Sequence, residues 1–126
     1  MKILVSDTIA AEGVEILKSQ AEVDVKTGLK PEELLGIIGN YDALVVRSET
    51  KVTAEVLKAG KKLQVVARAG VGLDNVDVKA ATQQGVIVVY SPTGNTIAAC
   101  EHTFAMMLAL ARHVPQANAR LKAKVF

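Results

Sequence analysis

Short runs of β-branched and apolar residues alternate with helical patterns five times along this chain, and that alternation restricts the fold more than any other feature. The runs are Lys2 to Ser6, Glu22 to Lys26, Ala43 to Val46, Leu63 to Ala69 and Val86 to Val89. Ala43-Leu44-Val45-Val46 and Val86-Ile87-Val88-Val89 are continuously apolar, the pattern of strands covered by helices on both faces. Strand, helix, strand repeated in this way predicts a parallel sheet joined by right-handed crossovers. For 126 residues the expected architecture is an α/β, flavodoxin-like three-layer sandwich with a five-stranded parallel sheet in the order 2-1-3-4-5.

The helices carry their own start and stop signals. Ile9 to Ser19 follows Thr8, read as its N-cap, and presents Ile9, Val14 and Leu17 at helical spacing. Pro31 opens Pro31 to Ile38, where its missing N–H costs nothing, and Glu32 and Glu33 suit the positive helix end. Thr53 opens a third helix that stops at Gly60. Asp77 caps Val78 to Gln84, with Gly85 as the residue that ends it. A fifth helix, Thr96 to Arg112, is apolar on nearly every side, so it must be buried by its own domain or by a second copy. Pro115 interrupts it, and the tail beyond reads as weakly helical. Fold-back onto the sheet, giving a monomer, completes the repeat count; a homodimer through the 96–112 helix is the second solution.

Composition narrows the function. Half the residues are apolar and 22% are charged, which excludes a disordered tail. No apolar run reaches the roughly 18 residues of a membrane span, and the opening Met1 to Asp7 does not read as a signal peptide. One cysteine rules out an internal disulfide framework and a multi-cysteine metal site, so no metal is expected and a reducing cytoplasm is. The net charge is only +2, with its one basic cluster at Arg112, His113, Arg120, Lys122 and Lys124. With two Tyr, two Phe and no Trp, the footprint of a nucleic-acid binder is missing.

Ligands of open parallel sheets bind beyond the carboxyl ends of the strands. That rule selects Asp7-Thr8, Thr27-Gly28, Arg47-Ser48-Glu49, Gly70 to Asn75, and Tyr90 to Asn95. Gly70-Val-Gly-Leu-Asp-Asn75 resembles a dinucleotide fingerprint but places Asn75 where the third glycine belongs, so that reading is rejected. Two glycines after a strand still allow a sharp turn whose N–H groups suit an anion. Arg47 and Arg68 leave neighbouring strands and offer a clamp for carboxylate or phosphate, unless both are simply solvated. Ser91 to Thr96 reads as a turn that Asn95 or Thr96 caps. Cys100, Met106 and Met107 read as packing residues, and Glu101 and His102 are successive helix residues that do not face each other.

Three segments, Arg47-Ser-Glu-Thr-Lys-Val-Thr53, Val66-Ala-Arg-Ala-Gly-Val-Gly-Leu-Asp-Asn-Val-Asp77 and Ser91-Pro-Thr-Gly-Asn-Thr-Ile-Ala-Ala-Cys-Glu-His-Thr103, resemble the phosphoglycerate-oxidising members of the D-2-hydroxyacid dehydrogenases. The resemblance runs through essentially the whole chain. It implies residues 1–126 as one substrate-binding domain including the interdomain helix at about 96–112, with the nucleotide-binding domain absent. It also implies a parent enzyme that oxidises 3-phosphoglycerate with NAD in serine biosynthesis. Arg47 and Ser48 then hold the phosphate-bearing end of the substrate. The N–H groups of Val71 and Gly72 hold its carboxylate, with Arg68, Ala69 and Gly70 shaping that loop. Val71 and Thr96 approach the nicotinamide dinucleotide.

The departures are equally specific. The family's GxGxxG and its catalytic Arg, Glu and His have no counterpart here, and His102 and His113 do not match the acid-base His. Tyr90 stands where the family pattern has Asn, and its bulky phenol is expected to alter or block the substrate end of the cleft. Lys122 to Phe126 does not read as the family's continuation. The expectation is an excised half-enzyme, engineering being one route to it, with no catalytic residues, no tight NAD binding and no turnover of its own. The alternative is a stand-alone module that binds a small phosphorylated acid. A signalling receiver ranks last, because only Asp7 marks the first strand end and Arg47 marks the third; a flavoprotein ranks with it, since Tyr90 is the sole aromatic at the cleft.

Overall fold

A computed structural model describes residues 1–125. Its elements are β1 (Lys2–Val5), α1 (Ala11–Lys18), β2 (Glu22–Val25), α2 (Pro31–Ile37) with a 3-10 turn (Ile38–Asn40), β3 (Ala43–Val46), α3 (Ala54–Ala59), β4 (Val65–Arg68), α4 (Val78–Gln83), β5 (Ile87–Tyr90), α5 (Thr96–Ala111) and α6 (Val114–Lys122). The strands form one parallel sheet in the order β2-β1-β3-β4-β5, as the alternation predicts. Its ladder runs one rung past several strand ends: the Ser6 N–H donates to Val45 and the Ala69 N–H to Val46. The longer strands read from sequence therefore include residues that pair without full strand geometry.

Two compact units make up the chain, Met1–Pro92 and a second from Thr93 on. In the first, helices pack on both sheet faces. Leu4, Leu44, Val46 and Val66 meet Leu34 of α2, Ile38 of the 3-10 turn, Val56 and Leu57 of α3, and Ala80 and Ala81 of α4. On the other face Ile3, Val5, Ala43 and Val45 pack with Ile9, Leu17 of α1, Ala21 and Val23. β5 closes one edge of the sheet, and there Ile87 and Val89 remain 60% and 45% exposed, so the run read as covered on both faces is instead a partly open edge strand.

Local signals explain most helix ends. Thr53 accepts from the Val56 N–H and Asp77 from the Ala80 N–H at 2.9 Å, capping α3 and α4. Gly85 adopts φ 71°, the left-handed conformation expected after α4. The Thr8 cap is not formed. α1 begins two residues later than expected, behind Ala10 with no side-chain cap, because Ile9 is drawn into the second core and keeps the chain extended there.

The second unit contains α5 and α6. None of the 16 residues of α5 is buried. Asn95 precedes it without a side-chain cap bond. The helix ends before Pro115: His113 takes a left-handed φ of 50°, and Pro115 sits in the first turn of α6. Among the described residues no helix is long and apolar enough to cross a membrane.

Candidate functional site

Because all five strands run the same way, Asp7, Arg47, Arg68 and Tyr90 arrive at one edge of the sheet. Asp7, just past β1, is only 1% exposed. Its carboxylate accepts the N–H groups of Arg47 at 2.6 Å, Glu49 at 3.1 Å and Thr50 at 3.1 Å, together with the Thr50 hydroxyl. Ser6 Oγ lies 2.9 Å from the same hydroxyl. Burial pushes the Asp7 carboxyl up, but the Thr50 hydroxyl and the three N–H donors outweigh it and hold the group below the ordinary aspartate range. The segment after β3 is thus wound around a buried anion.

A second set of bonds joins this segment to the loop after β4. Asn75 Nδ2 donates to the carbonyls of Arg47 at 3.0 Å and Thr50 at 2.7 Å, while its buried Oδ1 has no partner. Val52 and Val76 form a parallel bridge beside it. Arg68 Nε donates to the Arg47 carbonyl at 3.0 Å, and Arg68 Nη2 lies 3.7 Å from the Asp74 carboxylate. A Cβ added at Gly70 would sit 2.7 Å from Arg68 Nη1. Neither Gly70 nor Gly72 has a positive φ, so the reason for glycine at 70 is the guanidinium lying against it.

The arrangement separates the two arginines. Arg68, with its side chain 12% exposed, is committed to the Arg47 carbonyl and Asp74. Arg47 and Ser48 are exposed, and among the described residues no ion pair engages Arg47. The N–H groups of Ser48, Val71 and Gly72 donate to no other group among the described residues. Arg47 and Ala69 line an open cleft of about 470 Å³ with Thr8, Ile9 and Ala10. Tyr90 is paired in register with Arg68, at the end of β5, and is half exposed. An exposed guanidinium, a hydroxyl and uncommitted N–H groups form a chemistry suited to an anionic acid. Thr96 lies at the start of α5 in the second unit.

Sequence reasoning named Asp7 and Asn75 without giving them their roles. Asp7 was the lone acid at its strand end, and Asn75 the residue that breaks a fingerprint. The signal available was the rarity of a carboxylate directly after an apolar strand, which burial makes costly unless donors meet it.

Residues 3–124 match the family described as D-isomer specific 2-hydroxyacid dehydrogenase, catalytic domain. The chain belongs to the D-2-hydroxyacid dehydrogenase family. Its relatives include the D-3-phosphoglycerate dehydrogenase of Synechocystis, 58% identical over 121 residues, or 96% of this chain and 22% of that protein. The enzyme of the same name from Methanocaldococcus jannaschii is 52% identical over 97% of this chain and 23% of its own length. The chain thus spans less than a quarter of the length of those curated relatives. Among solved structures it resembles a Thermus thermophilus protein, with a TM-score of 0.88 and 34% identity over 98% of this chain and 40% of that one. An NAD+-bound 3-phosphoglycerate dehydrogenase of Entamoeba histolytica gives a TM-score of 0.77 and 34% identity, covering 86% of this chain and 38% of that one.

Proposed function

We propose that these residues are the substrate-receiving part of a D-3-phosphoglycerate dehydrogenase acting in serine biosynthesis in the cytoplasm. The observation that carries this reading is the pairing of exposed Arg47 and Ser48 with the uncommitted N–H groups of Val71 and Gly72 at one sheet edge. Arg47 and Ser48 take the phosphate end, where a guanidinium can form paired bonds. Val71 and Gly72 take the carboxylate, and Arg68, Ala69 and Gly70 hold the shape of that loop. Tyr90 narrows the substrate end of the cleft.

Val71 in the first unit and Thr96 in the second are each assigned to a nicotinamide dinucleotide. When bound, NAD supplies the hydride acceptor for oxidation of the acid's hydroxyl. That reaction also needs an acid-base group near the reacting oxygen, and no residue of this chain is assigned that part. Residues 1–126 therefore bind the acid and do not oxidise it alone.

A two-dimensional amide NMR spectrum with and without 3-phosphoglycerate tests the reading. Shifts confined to Arg47, Ser48 and Gly70 to Gly72 are expected, with no NADH formed when NAD is added. A dispersed spectrum that ignores the acid sinks the assignment, and NADH production by the chain alone sinks the claim of inactivity.

A further inference from the structure

The phosphate-receiving segment does not hold its own shape. Arg47, Ser48 and Glu49 are exposed, belong to no helix or strand, and pack no apolar side chain into either core. Two sets of bonds hold it: Asn75 Nδ2 and Arg68 Nε on its carbonyls, and, on its N–H groups, a carboxylate just past β1, 40 residues before Arg47. Asp7 collects the N–H groups of Arg47, Glu49 and Thr50, and skips that of Ser48. With the N–H groups on either side of it consumed by an internal anion, the Ser48 N–H is left for an external one.

We propose that Asp7 is a positioning residue for substrate binding, whose buried carboxylate winds the Arg47–Thr50 segment so that the Arg47 side chain and the Ser48 N–H and hydroxyl converge on the phosphate. The inference rests on the assignment of Arg47 and Ser48 to the phosphate end. It goes further in locating the source of that end's geometry in a residue too buried to touch the ligand. The carboxylate matters as an acceptor of four donors, the Thr50 hydroxyl being the fourth. An amide in its place offers one oxygen as acceptor and turns an NH2 toward donors that cannot accept it.

The test uses Asp7→Asn and, as a milder lesion, Thr50→Val, which removes the hydroxyl donor and its Ser6 contact but keeps the carboxylate and the three N–H donors. Each is titrated with 3-phosphoglycerate and with glycerate, the same acid without its phosphate, following amide NMR shifts. In Asp7→Asn, affinity for 3-phosphoglycerate is expected to fall about tenfold or more, the scale of losing charge-assisted bonds. The response to glycerate at Val71 and Gly72 stays as in the wild type. Hydrogen exchange at Arg47, Glu49 and Thr50 accelerates in the ligand-free variant, while core amides keep their rates. Thr50→Val shows the same pattern with a smaller loss, and it carries the test where Asp7→Asn does not fold.

Equal loss of both acids, or unchanged 3-phosphoglycerate affinity with unchanged exchange, overturns the inference. A wild-type chain that responds to neither acid overturns the substrate assignment and this inference's functional half with it. In that event the ligand-free exchange rates still decide whether Asp7 holds the segment.

Discussion

Asp7 stands between two opposed effects on its proton. Burial favours the neutral acid, and the Thr50 hydroxyl with three backbone N–H groups favours the anion more strongly. The folded group therefore titrates below its ordinary value of 3.8. A depressed carboxylate contributes stability that is present above the unfolded value and lost as pH falls through the folded one. On acidification the amides of Arg47, Glu49 and Thr50 are expected to titrate together with a midpoint below 3.8, as an NMR pH series would record. A midpoint above that value contradicts the bonding described. This role was not legible in the sequence, because the partners lie 40 to 43 residues away and two of the three are joined to Asp7 only through backbone N–H groups, which no side-chain pattern reports. Asn75 was misleading for a related reason. Its place in a glycine motif drew attention to what it fails to be, while its amide ties two loops through the carbonyls of Arg47 and Thr50.

At the level of elements the sequence was far more transparent. The continuous apolar run Ala43 to Val46 is a central strand buried throughout, whereas the equally apolar Val86 to Val89 is an edge strand with Ile87 and Val89 exposed; apolar runs spaced by helices predicted the topology, and the position in the sheet decided the burial. Caps made by a side chain to its own helix, as at Thr53 and Asp77, are local and were readable. Asp77→Ala should cost about 1 kcal/mol of stability through loss of the cap, seen as a lower melting temperature with the sheet intact. The start of α1 depended on where Ile9 found its core, a tertiary matter, and so fell outside what spacing could say. The Gly70-Val71-Gly72 turn was recognised, but its cause was not: the Arg68 guanidinium, itself anchored on the Arg47 carbonyl, occupies the space a side chain would need.

Across the whole molecule the contrast lies between a sheet unit with two cores and a unit from Thr93 on whose long helix buries nothing in the single chain. Helices of 16 and 9 residues have little stability without packing, and Ile97, Phe104, Met106, Leu108 and Leu110 are all exposed and apolar. We propose that a second copy covers α5 in solution. Light scattering is expected to show a dimer that dissociates on dilution, with α5 amides exchanging faster as it does. Leu108→Glu should shift that equilibrium to monomer, whereas a wild type that is monomeric at every concentration excludes the dimer.

The exposed border strand has a consequence of another kind. Val86-Ile-Val-Val-Tyr90 is free of charge and of proline, and it lies along the edge of the sheet with Ile87, Val89 and Tyr90 exposed. Such a border is a template on which a like strand can add, and repetition of that addition is how fibrils grow. In a crowded solution the yield of usable protein then depends on how quickly this border is sheltered, a race that the depth of the folded energy minimum does not decide.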